Sequence, residues 1–182
     1  MNTTITKSFK VDHSIEQVWK SISDPEKLVN CLPGASLTET VDDKNYKGEV
    51  TMKFGPVKAK YNGLITFEEM NVDTRTMKMI GKGMDSKGKG SADMEMNCSL
   101  TPSDTGTQVD YTIGITITGM LAQFGSRMIT DVSNSVFDEF TKNFKEILKG
   151  EEVDNTMDAG KISGTLFKSI IAWIRGIFGS NS

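Results

Sequence analysis

The chain has 182 residues, 37% of them hydrophobic, and a formal net charge of −3, which suits one domain with a single substantial core. No basic run occurs in residues 1–160, arguing against a nucleic-acid footprint, and no stretch of about 20 apolar residues offers a membrane-spanning helix. Charge is nevertheless uneven. Residues 161–182 carry Lys161, Lys168 and Arg175 with no carboxylate, leaving 18 basic against 24 acidic residues in the rest.

The elements follow in order. Thr3 to Asp12 alternates, with Ile5, Phe9 and Val11 on one side, and predicts a first strand. Ser14-Ile15-Glu16-Gln17 is a capping box that starts a helix bearing Ile15, Val18, Trp19 and Ile22. Asp24-Pro25 caps and opens a second short helix, ended by Cys31-Leu32-Pro33-Gly34. From Leu37 to Gly119 the period is two, and polar, glycine-containing turns separate short strands with one wet and one dry face, as in an antiparallel meander. Gly119 to Leu148 then carries Phe124, Met128, Val132, Val136, Phe140 and Phe144 at every fourth residue. That spacing predicts one long helix of roughly 40 Å, with Gly150 placed for a left-handed cap.

The expected fold is α+β: a curved antiparallel sheet of about seven strands wrapped around a long C-terminal helix, with two short helices after strand 1. Space between such a sheet and helix is either filled by side chains or left hollow. Methionine adapts to an apolar guest and tyrosine offers a hydroxyl to orient one, so the dry face favours a hollow. Its candidate lining is Met52, Phe54, Tyr61, Met77, Met79, Met94, Met96, Tyr111 and Ile113 from the sheet, with Phe124 and Met128 from the helix.

Three motifs carry the resemblance to a known family. Asp24-Pro25 with Leu28, Cys31, Pro33 and Gly34 is the first, and Gly55-Pro56-Val57-Lys58 leading to Tyr61 and Gly63 is the second. The third combines Gly81-Lys82-Gly83, Gly88-Lys89-Gly90 and the run from Gly119 to Arg127. Over about residues 3–148 the chain resembles the CoxG-like family, named for the CoxG subunit of carbon monoxide dehydrogenase, in the START-like, or SRPBCC, helix-grip superfamily. The resemblance implies a deep apolar cavity and association with a molybdenum hydroxylase of the carbon monoxide dehydrogenase type, in membrane recruitment or in lipid and quinone handling. The superfamily is functionally broad, and cyclase- or hydrolase-type enzymes occur elsewhere in it.

The tail is the most informative functional stretch. On a helical wheel Leu166, Phe167, Ile170, Ile171, Trp173, Ile174, Ile177 and Phe178 share one face, while Lys161, Lys168 and Arg175 lie opposite. A helix of this length is shorter than the hydrocarbon core and is expected to lie in the interface, cations toward anionic headgroups. A partner's groove or packing on the domain itself are the other fates of such a helix. The acidic spacer Gly150–Gly160 weighs against self-packing. The expected organisation is thus a ligand-binding domain over 1–149, a flexible acidic linker over 150–160 and a membrane-binding tail over 161–182.

Catalytic signals are weak. Gly83 to Gly90 nearly spells a phosphate loop, but Gly90 replaces the hydroxyl that holds magnesium and the context is strand–turn–strand. His13 is the only histidine and is expected in a surface turn, and Cys31 and Cys98 lack metal spacing and are expected as reduced, buried thiols. The expectation is a non-enzymatic cytoplasmic protein, peripherally attached to the inner face of the cell membrane. Its expected cargo is an isoprenoid quinone or lipid, with no covalent cofactor and no metal. A membrane adaptor with a packed core is the alternative.

Overall fold

The computed structural model describes residues 1–54 and 57–155, the side chains of residues 53, 54 and 57 excepted. Its elements are β1 (Asn2–Val11), α1 (Ile15–Ile22), α2 (Pro25–Cys31), β2 (Ala35–Thr40), β3 (Asn45–Phe54), β4 (Val57–Asn71), β5 (Thr76–Asp85), β6 (Ser91–Ser103) and β7 (Gly106–Ile117). A 3₁₀ turn (Gly119–Phe124) then leads into α3 (Gly125–Leu148). The seven strands form one antiparallel sheet in the order β1-β7-β6-β5-β4-β3-β2, so the first strand pairs with the last.

Local chemistry sets the helix ends. Ser14 and Gln17 make the reciprocal capping box of α1, and Asp24 caps α2 through the backbone N–H groups of Glu26 and Lys27, with Pro25 just inside. Past α3, Gly150 adopts φ +83°, its N–H reaches the Ile147 carbonyl and that of Glu151 reaches Glu146, which closes a Schellman motif. The expected single helix from Gly119 is in fact two pieces. Gly119 (φ +72°) and Gly125 (φ +80°) lie in the left-handed region, so the chain makes a 3₁₀ turn between them and α3 begins one residue after Phe124. A side chain at Gly119 would also collide with the Lys89 carbonyl, because the β5–β6 turn crosses the backbone there.

Curvature comes from a row of residues without Cβ atoms. Gly48 pairs with Gly63, Gly63 with Gly83, and Gly83 with Ala92 across β3–β6. A Cβ on Gly63 would lie 2.6 Å from the Lys82 carbonyl oxygen, and one on Gly48 would lie 2.9 Å from that of Ser36. Neighbouring backbone thus fills the volume a side chain would take, creasing the sheet around α3.

Inside the grip, burial is sealed at two ends. The larger cluster holds Phe9, Val11, Val18, Trp19, Phe67, Leu100, Val109 and Phe144, capped by α1 and α2. The smaller holds Ala59, Tyr61, Ile117, Leu121 and Ile129 beneath the 3₁₀ turn. α3 is tied to α2 by the buried Asn143 amide, which donates to the Cys31 carbonyl at 3.1 Å.

The crease gives a direct test. Gly63→Ala should lower stability by about 2 kcal/mol through overpacking. Gly114→Ala, whose Cβ would meet nothing closer than 4.0 Å, should change it little. Urea unfolding of the two variants measures the difference.

Candidate functional site

Between the two ends the concave face is less fully buried. Val50 and Met52 on β3, Ile65 on β4, Met94 and Met96 on β6, and Ile113 and Ile115 on β7 are only half-buried, as are Val132, Val136, Phe137 and Phe140 on α3. β6 is flanked on both sides by other strands, so solvent reaches Met94 and Met96 only from the concave side. The α3 backbone runs closest to α1, α2, β1 and the 3₁₀ turn. Half-buried apolar side chains of the sheet and of α3 thus lie together within the grip, packed against the two clusters.

The candidate lining therefore divides. Met94, Met96 and Ile113 face the less buried middle, packed against the larger cluster, while Met52 and Phe124 pack against the smaller one. Met77 (3% exposed) and Met79 (7%) belong to the closed core at the α1–α2 end, and Tyr61 (5%) to the smaller cluster. Met128 is half-buried on the first turn of α3 and joins neither cluster. Phe54 ends β3, its side chain outside the described set. The expected membrane face, Lys161 to Phe178, lies outside the described residues.

Tyr111, 6% exposed, is a polar residue within the larger cluster. Its ring is held by Phe137 at 4.5 Å and Phe9 at 6.4 Å between centroids. Its buried hydroxyl has no hydrogen-bond partner among the described residues. Burial, then the neighbouring Cys98 and Asp138, push its ionisation well above the usual phenol range, so it is a neutral donor. Lys7 is a second polar group on the same strand face as Ile5 and Phe9, paired with Tyr111 across the sheet and placed 5.8 Å from the Phe137 centroid. As a lysine, Lys7 gave no sign of being lining, although period-two alternation through Ile5, Phe9 and Val11 puts it on that face. Phe137 and Phe140 on α3 are visible in the sequence as part of a helical stripe, with no sign that they are only half-buried, whereas Phe144 of the same stripe is core.

Other candidate chemistry is structural. The His13 carbonyl accepts from Thr107 Oγ1 at 2.8 Å, tying the β1–α1 turn to β7. Asp85 uses its carboxylate inside the β5–β6 turn, accepting from the N–H groups of Lys87 and Lys89, so the near phosphate loop is a hairpin. Among the described residues no group of three or more His, Cys, Asp or Glu side chains is placed to hold a metal. Among them no helix is long and apolar enough to cross a membrane. A shallow depression of about 360 Å³ lined by Thr38, Lys47, Gly48, Asn62, Gly63 and Leu64 lies on the outer face of β2–β4, apart from the interior of the grip.

The linker contains a feature the sequence did not signal. The Asn155 side-chain amide donates to the carbonyls of Ala35 (2.9 Å) and Val29 (3.3 Å), and its own backbone carbonyl accepts from Gly34 N–H at 2.7 Å. The first residues of the expected flexible linker are therefore pinned to the α2–β2 corner. A lone asparagine in an acidic spacer carries no pattern from which this could be read.

A seven-stranded antiparallel sheet curved around one long C-terminal helix, with two short helices after the first strand, defines the helix-grip class. Residues 8–149 match the family model for the CoxG subunit of carbon monoxide dehydrogenase, and the chain belongs to that family. A conserved protein from Geobacillus kaustophilus is similar at 27% identity, over 82% of this chain and 96% of that one, with a TM-score of 0.71. Ara h 8.0201 (13% identity, 83% and 100% covered, TM-score 0.55) and the Zhui aromatase/cyclase from Streptomyces sp. R1128 (8%, 82% and 93%, TM-score 0.52) share the fold alone. No curated protein matches.

The thiols give a measurable consequence. Burial pushes Cys31 up to about 12, and burial followed by Asp110 does the same to Cys98. Alkylation in mildly alkaline buffer should spare both in the native protein and modify both once it is unfolded, read by intact mass. These raised values also fix a sign. The thiols' contribution to stability is full below pH 9.0 and is lost as pH rises from 9.0 toward about 12, where only the unfolded chain gives up these protons.

Proposed function

We propose that this protein is a non-enzymatic carrier that holds an isoprenoid quinone or similar lipid between the sheet and α3. It works at the inner face of the cell membrane through the amphipathic segment Lys161–Phe178. In this reading it serves, and recruits to the membrane, a molybdenum hydroxylase of the carbon monoxide dehydrogenase type, the enzyme for which the family is named. The observation that supports the reading is the buried, unpartnered Tyr111 hydroxyl next to the half-buried apolar side chains of β6, β7 and α3. A buried hydroxyl without a partner costs about 1–3 kcal/mol, a cost that a ligand carbonyl accepting from it removes.

Physical chemistry fits a carrier better than a sequestering store. An isoprenoid chain gains about 0.8 kcal/mol per CH₂ on leaving water, but a bilayer offers the same gain. Passage between membrane and protein is therefore near balance for the apolar part, and the single hydrogen bond to Tyr111, worth about 1 kcal/mol, tips it. The methionine and isoleucine walls supply adaptable contact, and the tail keeps the exchange where the ligand dissolves. An enzymatic reading has only the fold it shares with the aromatase/cyclase behind it. The adaptor reading draws on the tight packing around Met77 and Met79.

Tyr111→Phe should bind a short-chain quinone analogue about fivefold to tenfold more weakly, measured by tryptophan fluorescence or calorimetry, with stability of the empty protein unchanged or raised. Met96→Trp should fill the space and abolish binding while the protein stays folded. Collapse of Met96→Trp, with no quinone bound by the parent, would favour the adaptor.

A further inference from the structure

The folded domain is electrically polarised along the sheet. At the end formed by the start of β4, the β5–β6 turn, the 3₁₀ turn and the start of α3 lie Lys58, Lys60, Lys82, Lys87, Lys89 and Arg127. Three carboxylates stand among them. Glu49 pairs with Lys60 at 2.7 Å, Asp85 is occupied by its own turn, and Asp93 sits opposite Lys82 across the strands. Six cations against three anions leave this end at +3. Residues 1–155 as a whole hold 18 basic and 23 acidic residues, so everything else in the domain sums to −8. Lys58, Lys82, Lys87, Lys89 and Arg127 have no carboxylate within 4 Å among the described residues, and Lys60 is paired with Glu49.

Two exposed apolar side chains sit within the cationic patch. Met84 is 58% exposed and Met120 is 40% exposed. They flank the β5–β6 turn: Met84 pairs with Ser91, which meets Thr118, and Met120 N–H reaches the Lys89 carbonyl. The patch is held firmly. Backbone crossing at Lys89–Gly90 and Thr118–Gly119 fixes the turn on one side, and Ser86 N–H bonded to the Lys60 carbonyl fixes it on the other. Asn155 is bound beside Gly34, whose carbonyl accepts from Thr51 N–H, three residues before β3 ends at this rim. From there, extended chain to Lys161 spans about 20 Å.

We propose that this basic, methionine-bearing rim is a second membrane contact, by which the domain itself docks on an anionic bilayer with the smaller cluster facing the lipid. Lysines at the headgroup level supply attraction and orientation, and Met84 and Met120 enter the interface. The −8 remainder is repelled and turns outward, so the domain stands in one orientation and does not tumble on its tail. This proposal rests on the membrane reading given under Proposed function, and its test separates the two.

The full-length protein, with Met120→Cys labelled by a polarity-sensitive fluorophore, is mixed with vesicles of phosphatidylglycerol and phosphatidylcholine. Asp104→Cys in the β6–β7 turn serves as the distal control, and the buried thiols of Cys31 and Cys98 do not compete for label. The label at position 120 should shift to the blue and be quenched by brominated lipid, and that at 104 should stay aqueous. Lys87→Glu with Lys89→Glu should weaken vesicle binding by at least about tenfold. Sedimentation with vesicles while the label at 120 stays aqueous and the double variant binds normally would overturn the rim contact and leave the tail as anchor. Shielding of that aqueous label by an oxidoreductase instead would reassign the rim to a protein. Failure of the parent chain to bind vesicles at all would remove both readings.

Discussion

Everything in this molecule depends on carbonyl oxygens occupying the places where three Cβ atoms would be. Gly48, Gly63 and Gly83 stand in register across β3, β4 and β5, and the strand beside each fills its missing side-chain volume. A flat sheet would lie against α3 and exclude space. A creased one wraps around the helix, whose backbone runs closest to β1, α1, α2 and the 3₁₀ turn. The two core clusters follow from that geometry, one sealed by α1 and α2 and the other by Leu121 and Ile129. So does the half-exposure of Met94 and Met96, on a strand that has neighbours on both sides.

Titratable groups are few on the inner faces of sheet and helix among the described residues. The thiol of Cys98 is held protonated by burial, and Tyr111 is likewise kept neutral. What remains is the hydroxyl of Tyr111 and that of Thr141 on α3, both without a partner among the described residues, and a lysine at the β1–α3 seam, set among aliphatic and aromatic side chains. For the proposed carrier, the matching ligand is mostly hydrocarbon with an accepting oxygen. The outer surface works differently. Its charges are separated end from end, and that separation bears on how the domain meets its surroundings.

Much of the architecture was legible because it is written in local rules. The capping box at Ser14, the Asp24-Pro25 start, the Gly150 cap and the alternation through Ala92–Leu100 each depend on near neighbours in sequence. The break at Gly125 was hidden because the apolar period runs unchanged through Phe124 and Met128, and only backbone geometry shows two glycines in the left-handed region. Likewise, alternation put Met77, Met79, Met94 and Met96 on one face but could not say which end of the grip would be closed. That depends on where α1 and α2 fold over, a matter of distant contacts. Lys7 was hidden by its residue type, and Asn155 by having no pattern around it.

A carrier must enclose an apolar molecule between its sheet and α3. Mass spectrometry of an organic extract, taken from protein purified out of native membranes without detergent, looks for that molecule itself. A carrier should yield a prenyl quinone or related lipid at about one molecule per chain. Protein that yields no stoichiometric lipid, yet still binds anionic vesicles, would contradict the carrier and make the molecule an adaptor.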